Sequence, residues 1–320
     1  MKKFFSAMLL ASTFVALPAA AAVIDNGTIR LGVDSRGQLN TGGYGVFDLR
    51  TNRDGTRAGC PCEGWGAADA ATGTSGYANN SSGIANATVS SFTNTATTAT
   101  SVVNIAGASS MEVTHAFAPS ASTDLYEVLV TIKNTSANAI TDLRYRRVMD
   151  WDIEPTAFSE YVTIQGVGAS ALLFSSDNGF ASGDALSARG ALVGGTTNVN
   201  FVDSGPSDHG ALFDFGFGSL AAGDTKTFKI FYGASLTEKG ALAALGTVGA
   251  EVYSLGQSRN DINGGTAGYS TFIFAFKGVG GTAVPGAVPE SSTWMMMIAG
   301  FGIAGMSLRG RRRNAIASLA

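Results

Sequence analysis

The chain has two cysteines, Cys60 and Cys62, and two histidines, His115 and His209, in 320 residues. At most one Cys₂His₂ zinc set can be assembled from them, and their spacing matches no known zinc motif. Lysine is scarce, and charged residues make up only 14% of the chain. Lys2, Lys3, Arg309, Arg311, Arg312 and Arg313 lie in the terminal segments with Glu290 as the sole acid there, so 21 basic and 24 acidic residues become 15 against 23 in between, a net charge of −8. That balance argues against a nucleic-acid partner, whose phosphates need a basic surface. No G-x-S-x-G elbow, H-E-x-x-H pair or phosphate-cradling loop occurs. No repeat of fixed period points to a propeller or a β-helix.

What is present is glycine, 42 residues of it, with Ser, Thr, Asn and Ala at the polar positions and recurring Val, Ile, Leu, Phe and Tyr. Short alternating runs joined by tight turns are expected from such a composition. Tyr126, Val128, Val130 and Ile132 alternate with Glu127, Leu129, Thr131 and Lys133, and Asn134 to Asn138 supplies a turn before Ile140, which predicts a hairpin. Further strands are predicted over 24–33, 101–105, 111–117, 161–167, 199–202, 211–217, 225–232 and 269–276, with 93–100 an exposed strand or loop. One helix is predicted: Ser235 to Glu238 fits a capping box, Leu242, Leu245, Val248, Val252 and Leu255 recur at helical spacing, and Gly256 follows as a stop. The expected fold is mainly β, an antiparallel β-sandwich with one late amphipathic helix, flanked by an N-terminal signal helix and a C-terminal membrane helix.

The two ends carry the clearest organisation. Lys2 and Lys3, the apolar stretch Phe4 to Leu17 and the small residues Ala20 to Ala22 read as a secretory signal over 1–22, so translocon and signal peptidase are expected partners and the mature protein begins near Val23. Residues 23–277 form the exported domain, and 278–287, with Pro285 and several glycines, a flexible spacer. In the final segment, 288–320, Trp294 precedes the uncharged stretch Met295 to Leu308, and Arg309, Arg311, Arg312 and Arg313 follow it. A 14-residue helix spans roughly 21 Å against a hydrocarbon core of roughly 30 Å, with the indole at one interface and the arginines at the cytoplasmic side. Gly300, Gly302, Ala304 and Gly305 leave a small-residue surface suited to close packing on another membrane helix.

Val288-Pro289-Glu290, then Trp294, apolar helix and arginine cluster resemble the PEP-CTERM sorting signal. The resemblance covers about a tenth of the chain. It implies a substrate of exosortase, a membrane-embedded cysteine transpeptidase or protease of Gram-negative bacteria that make exopolysaccharide, with Pro289 and Glu290 as the recognition dipeptide and the rest as a temporary anchor. Ser291 stands where the pattern has a second proline, and Asn314 to Ala320 run on past the arginines. An ordinary single-pass anchor is the competing reading.

Three groups of residues carry potential chemistry. Arg144, Arg146, Asp150, Asp152 and Glu154 share one parity, with Tyr145, Met149, Trp151 and Ile153 on the other. Asp150, Asp152 and Glu154 are then about 7 Å apart in steps along one face, as a Ca²⁺ or glycan site or simply as a solvated charge row. Cys60 and Cys62 flank Pro61, and in an oxidising compartment a disulfide fixing that loop is expected, with free thiols or half of a zinc site completed by His115 and His209 as alternatives. Glu63 and Trp65 beside them are candidates for an exposed sugar-stacking loop or for a plug in the sandwich. Ser207-Asp208-His209 reads as a polar turn, because adjacent side chains point apart and triads assemble from distant segments.

Two functions of different classes are compatible with these features. One is an exported surface or matrix protein associated with exopolysaccharide or biofilm and without catalysis of its own. The other is a secreted polysaccharide-acting enzyme or Ca/glycan-binding module on a β-sandwich, for which carboxylates about 5 to 9 Å apart across a groove are the requirement.

Overall fold

Among the described residues up to 286 there are nineteen strands and one helix, and their order follows from short apolar runs interrupted by turn residues. A computed structural model describes residues 21–193, 196–262, 264–286 and 295–303. In chain order the strands are β1 (Ala21–Asp25), β2 (Ile29–Asp34), β3 (Val46–Asp48), β4 (Arg53–Asp54), β5 (Glu63–Asp69), β6 (Thr74–Asn79), β7 (Gly83–Ala85), β8 (Thr88–Asn94), β9 (Ala99–Ile105) and β10 (Met111–Pro119). They continue as β11 (Leu125–Asn134), β12 (Ile140–Trp151), β13 (Glu160–Gln165), β14 (Leu172–Ser176), β15 (Phe201–Ser207), β16 (His209–Leu220) and β17 (Thr225–Ser235). After helix α1 (Glu238–Val248) come β18 (Val252–Ser258) and β19 (Thr271–Lys277). All pairings are antiparallel.

Two sheets face each other. The larger has nine strands in the order β15-β13-β18-β19-β17-β11-β10-β9-β8, and the smaller six in the order β14-β16-β12-β5-β6-β7. Phe213 and Phe215 on β16 meet Phe274 and Phe276 on β19, and Tyr145 on β12 meets Phe228 on β17, so the apolar sides of both sheets close on one interior. Ring centroids 4.7–5.6 Å apart in tilted or edge-on geometry are the favoured aromatic arrangement. A four-stranded sheet, β1-β2-β3-β4, adds Ile24, Ile29, Leu31, Val33 and Val46 to the same core.

Several predicted elements change form. The segment 24–33 is two strands, not one, because Asn26 Oδ1 accepts from the Thr28 and Ile29 amides and Gly27 adopts φ +89°, turning the chain. Residues 93–100 hold the end of β8, a turn closed by Thr95 and the start of β9. The predicted hairpin at 126–140 has its turn but not its pairing. β11 lies between β10 and β17, whereas β12 lies between β5 and β16 in the other sheet. Buried Asn134 explains the divergence: its amide donates to the carbonyls of Asn138, Leu220 and Ala221, bracing an arch between sheets where a two-residue turn would have kept the strands together.

The helix is shorter than its periodicity predicts. Thr237, not Ser235, is the N-cap, accepting from the Gly240 amide, and Gly249 ends the helix at φ +66°. Val252 and Leu255 continue the apolar spacing but belong to β18. The apolar stripe Ala241, Ala244, Leu245 and Val248 covers Leu125, Phe231, Ile273 and Ala275 on the outer face of the nine-stranded sheet.

The expected spacer is bonded to the sandwich from Gly278 to Val284. Ser170 and Ala171 donate backbone hydrogen bonds to Gly280 and Val279, Val284 donates to Ala250, and the Glu251 carboxylate accepts from the amides of Gly278, Val279 and Gly281. Desolvation works to raise the Glu251 carboxyl, but these amides outweigh it and hold it below its ordinary value. A lowered carboxyl stabilises the fold above the ordinary glutamate range near about 4.3 and loses that contribution as pH falls through the lowered value. Glu251→Gln is therefore expected to cost about 1 to 2 kcal/mol and to speed amide exchange at Gly278, Val279 and Gly281, with little further loss on acidification through that window. Unchanged exchange at those amides would count against the clamp.

The chain divides into one unit over Met1–Val284 and another over Pro285–Ala320. In the second, residues 295–303 are helical, with Met296, Ile298 and Phe301 exposed. Among the described residues no helix is long and apolar enough to cross a membrane. Of the expected signal segment over 1–22, Ala21 and Ala22 are the first residues of β1, and residues 1–20 lie outside the described residues, as do the sorting residues Val288, Pro289, Glu290 and Trp294 and the arginines at 309, 311, 312 and 313.

Candidate functional site

β12 brings the first of the predicted acidic residues into place, but not onto a solvated face. The odd residues Tyr145, Arg147, Met149 and Trp151 point into the sandwich, and the even residues Arg146, Val148 and Asp150 point to the outer side of the six-stranded sheet. That outer side is covered. Arg146 pairs with Asp214 and donates to the carbonyls of Ser182 and Ser187, and Val148 packs with Leu212 and Ala181. Asp150 and Asp152 are 1% and 0% exposed, so the reading of the row as a solvated face is corrected: the segment following β14 folds back over it.

Sequence-distant residues meet at the end of β12. Carboxylate oxygens of Asp150, Asp152 and Asp208 lie within 4.8 Å of one another. Asp208 belongs to the Ser207-Asp208-His209 stretch and arrives because β16 pairs with β12 in a register that sets His209 against Trp151 and Gly210 against Asp150. Gly210 is required there: a Cβ would lie 2.1 Å from the Met149 carbonyl and 2.7 Å from the Asp150 Cα. Glu154 does not join the group. Its carboxylate accepts from the Asp54 amide instead, since the chain leaves the strand after Trp151 and the period-2 spacing no longer holds.

Cys60 and Cys62 are joined as a disulfide, and Cys60 Sγ sits 3.5 Å from Asp150 Oδ2. The histidines do not complete a zinc set with them. His209 is buried, with its ring nitrogens bonded to Asp177 Oδ2 at 3.1 Å and to the Glu160 carbonyl at 3.2 Å. His115 is in the core, 2.9 Å from the Tyr145 hydroxyl, with its ring tilted against that of Trp65. Burial and then the Arg147 charge hold its imidazole well below the ordinary histidine range, hence neutral. Ser207, Asp208 and His209 form no triad, because the imidazole is turned to Asp177 and Glu160. Trp65 and Glu63 are both 0% exposed, so neither lines a surface loop: β5 is buried along its whole length.

Electrostatically the cluster is one-sided. Desolvation, then the charges of Asp152, Asp208 and Glu160, push the Asp150 carboxyl up to about 9. Desolvation, Asp208 and Asp54 push Asp152 to about 7, and desolvation, with Asp152 adding to it, pushes Glu160 to about 8. Asp208 and Asp54 are also raised, by desolvation first. Asp150 Oδ1, both oxygens of Asp152 and Glu160 Oε2 have no hydrogen-bond partner. Buried carboxylates left this way are costly unless a proton or a cation is shared among them.

Glu160 and Phe158 are additions that sequence reasoning missed. Phe158 is 53% exposed, holds φ +73°, and its ring packs over Gly59 beside Asp152. The only sequence signal for either was proximity to Pro155 after the acidic row.

No protein-family model and no curated protein matches the chain. Among solved structures, a galactose mutarotase related enzyme from Lactobacillus acidophilus is similar at 9% identity and a TM-score of 0.34, over 83% of this chain and 93% of that one. A galactose mutarotase-like protein from Lactobacillus casei is similar at 9% identity and a TM-score of 0.32, over 84% of this chain and 90% of that one. Likeness at that level carries no inference about activity, and the fold assignment rests on the sheet pairings and cross-sheet contacts: a mainly β, antiparallel sandwich.

Proposed function

We propose that this is an exported protein whose C-terminal segment is a sorting handle and whose sandwich is the delivered part, associated with the cell surface or an exopolysaccharide matrix and without catalysis of its own. The observation that supports it most is the position of the unit boundary. Among the described residues the sandwich makes its last backbone bond at Val284, and the Pro289-Glu290 dipeptide follows after Pro285, later in the chain than every described strand. Cleavage near that dipeptide removes none of the described core residues. An exosortase-like protease, the translocon and signal peptidase are the partners this reading requires.

The polysaccharide-acting alternative needs carboxylates facing each other across an open groove. Asp150 and Asp152 are buried to within 1% and Glu154 is bonded to the Asp54 backbone, an arrangement that favours the non-catalytic reading.

Intact-mass measurement of the protein recovered from the outer surface or medium of an exosortase-bearing host is expected to show loss of everything after about residue 290. Glu290→Ala is expected to accumulate the uncut, membrane-held form. A surface form that retains Arg311 to Arg313 would overturn the sorting reading.

A further inference from the structure

We infer that Asp150, Asp152 and Asp208 hold a calcium ion, entering from the Asp208 side. The inference concerns the sandwich alone and stands or falls independently of the sorting reading.

Two independent features point to a ligand. The first is spacing: oxygens within 4.8 Å of one another can all reach one ion at the 2.3–2.6 Å typical of Ca²⁺. The second is the set of unpartnered oxygens. Asp152 is 0% exposed with both oxygens unbonded, and Asp150 Oδ1 is likewise orphaned. Outside the triplet, Glu160 is 0% exposed, its Oε1 accepts from the Ile153 amide, and its free Oε2 belongs to a carboxylate close enough to Asp150 and Asp152 for their charges to act on each other. Native interiors rarely leave so many acceptors unsatisfied in one place, and a cation answers them together.

The donor set selects the ion. All donors are hard carboxylate oxygens, and the neighbouring sulfurs are spent in the disulfide, which disfavours zinc. Asp208 is exposed while Asp150 and Asp152 are buried, so one side is left to solvent for the waters that complete a coordination shell of six to eight. Magnesium demands a tighter octahedron and sheds its waters reluctantly, so calcium is preferred. Gly179 and Gly210 line the same spot, and a Cβ on Gly179 would meet Asp150 Oδ1 at 2.8 Å, so the space beside the carboxylate is kept free of side chains.

The test uses the full chain, purified in detergent, freed of metal with EDTA and titrated separately with CaCl₂ and MgCl₂ while thermal unfolding and binding heat are followed. Millimolar Ca²⁺ is expected to raise Tm by at least about 5 °C, because an ion bound only by the folded state stabilises it by mass action. Asp208→Asn, a change at an exposed position that leaves the core intact, is expected to weaken Ca²⁺ binding at least about tenfold. Asp152→Asn is expected to abolish the Tm response, whereas Glu154→Gln is expected to retain it in full. No heat and no Tm shift up to about 10 mM Ca²⁺ would overturn the site, as would an unchanged response in Asp208→Asn. An equal response to Mg²⁺ would overturn its assignment to calcium.

Discussion

Glu63→Ala is expected to destabilise the sandwich by about 3 to 5 kcal/mol, the usual consequence of removing one member of a fully buried ion pair. Glu63 on β5 and Arg147 on β12 face each other inside the sandwich, both 0% exposed, with the guanidinium Nε donating to Glu63 Oε1. The pair is embedded further: the Leu39 amide donates to Glu63 Oε2 at 2.6 Å, Arg147 donates to the Gly37 carbonyl at 3.1 Å, and the guanidinium lies 5.5 Å from the Tyr232 ring centroid. Desolvation raises the Glu63 carboxyl, and the Arg147 charge, followed by the Leu39 amide and the Tyr232 hydroxyl, opposes that rise. Without Glu63 the cation has no compensating charge, and its Nη1 already lacks a partner. A Glu63→Leu, Arg147→Met double variant removes both charges and is expected to recover most of the loss. Chemical denaturation of the three proteins checks this. A single-variant loss below about 1 kcal/mol would mean the pair is solvated in a way its burial denies.

The second large effect belongs to Trp65. Its indole packs 4.6 Å from the His115 ring and 6.3 Å from the Tyr145 ring, centroid to centroid, and its Nε1 donates to the Arg36 carbonyl at 2.8 Å. Trp65→Ala leaves a large void between the sheets and a part-buried carbonyl without its donor, so a loss of about 3 to 5 kcal/mol is expected. For a domain of this size that corresponds to a fall in Tm of roughly 10 °C. Trp65→Phe keeps most of the packing and loses chiefly the hydrogen bond, so a smaller loss near about 1 to 2 kcal/mol is expected. If Trp65→Ala melted within 2 or so degrees of the parent, roughly the effect of a surface change, the indole would not be a core element.

Both effects show what alternation in a sequence reveals and what it does not. Period-2 patterning located β10 and β11, whose buried positions alternate, and runs of large apolar residues located most of β16, β17 and β19, which are largely buried on both faces. Neither signal located β5, which is buried along its whole length but built mostly of Gly and Ala. Glu63-Gly64-Trp65-Gly66 looks like a loop because glycine allows the close approaches that its neighbours impose there: a Cβ on Gly64 would lie 2.5 Å from the Ala78 carbonyl. Arg147 shares the parity of Tyr145, Met149 and Trp151, so the pattern did place a charge on an apolar face. Recognising it as an interior cation required its partner, which lies 84 residues away.

The carboxylate group was half legible. Asp150 and Asp152 are two positions apart in sequence and stay together, while Glu154 departs because the strand ends at Trp151. Asp208 is delivered by register across two strands, which local spacing does not encode. Helix α1 was found but overextended, since the apolar residues of β18 happen to continue the helical period past Gly249.

From β11 to β17 the chain changes sheet at every connection. Pairing partners are consequently far apart along the chain: Leu125 on β11 waits for Gly233 on β17, and Asp69 on β5 for Leu143 on β12. Such a topology has high contact order, and loop-closure entropy must be met before the pairings repay it, so folding is slow. A chain emerging N-terminus first holds β8 to β11 as an incomplete sheet with an open edge until β17 arrives, and β17 itself stays uncovered until β19. Folding of the nine-stranded sheet is therefore a late, nearly whole-chain event, and the interval before residue 277 is free is when this protein is most exposed to aggregation and proteolysis.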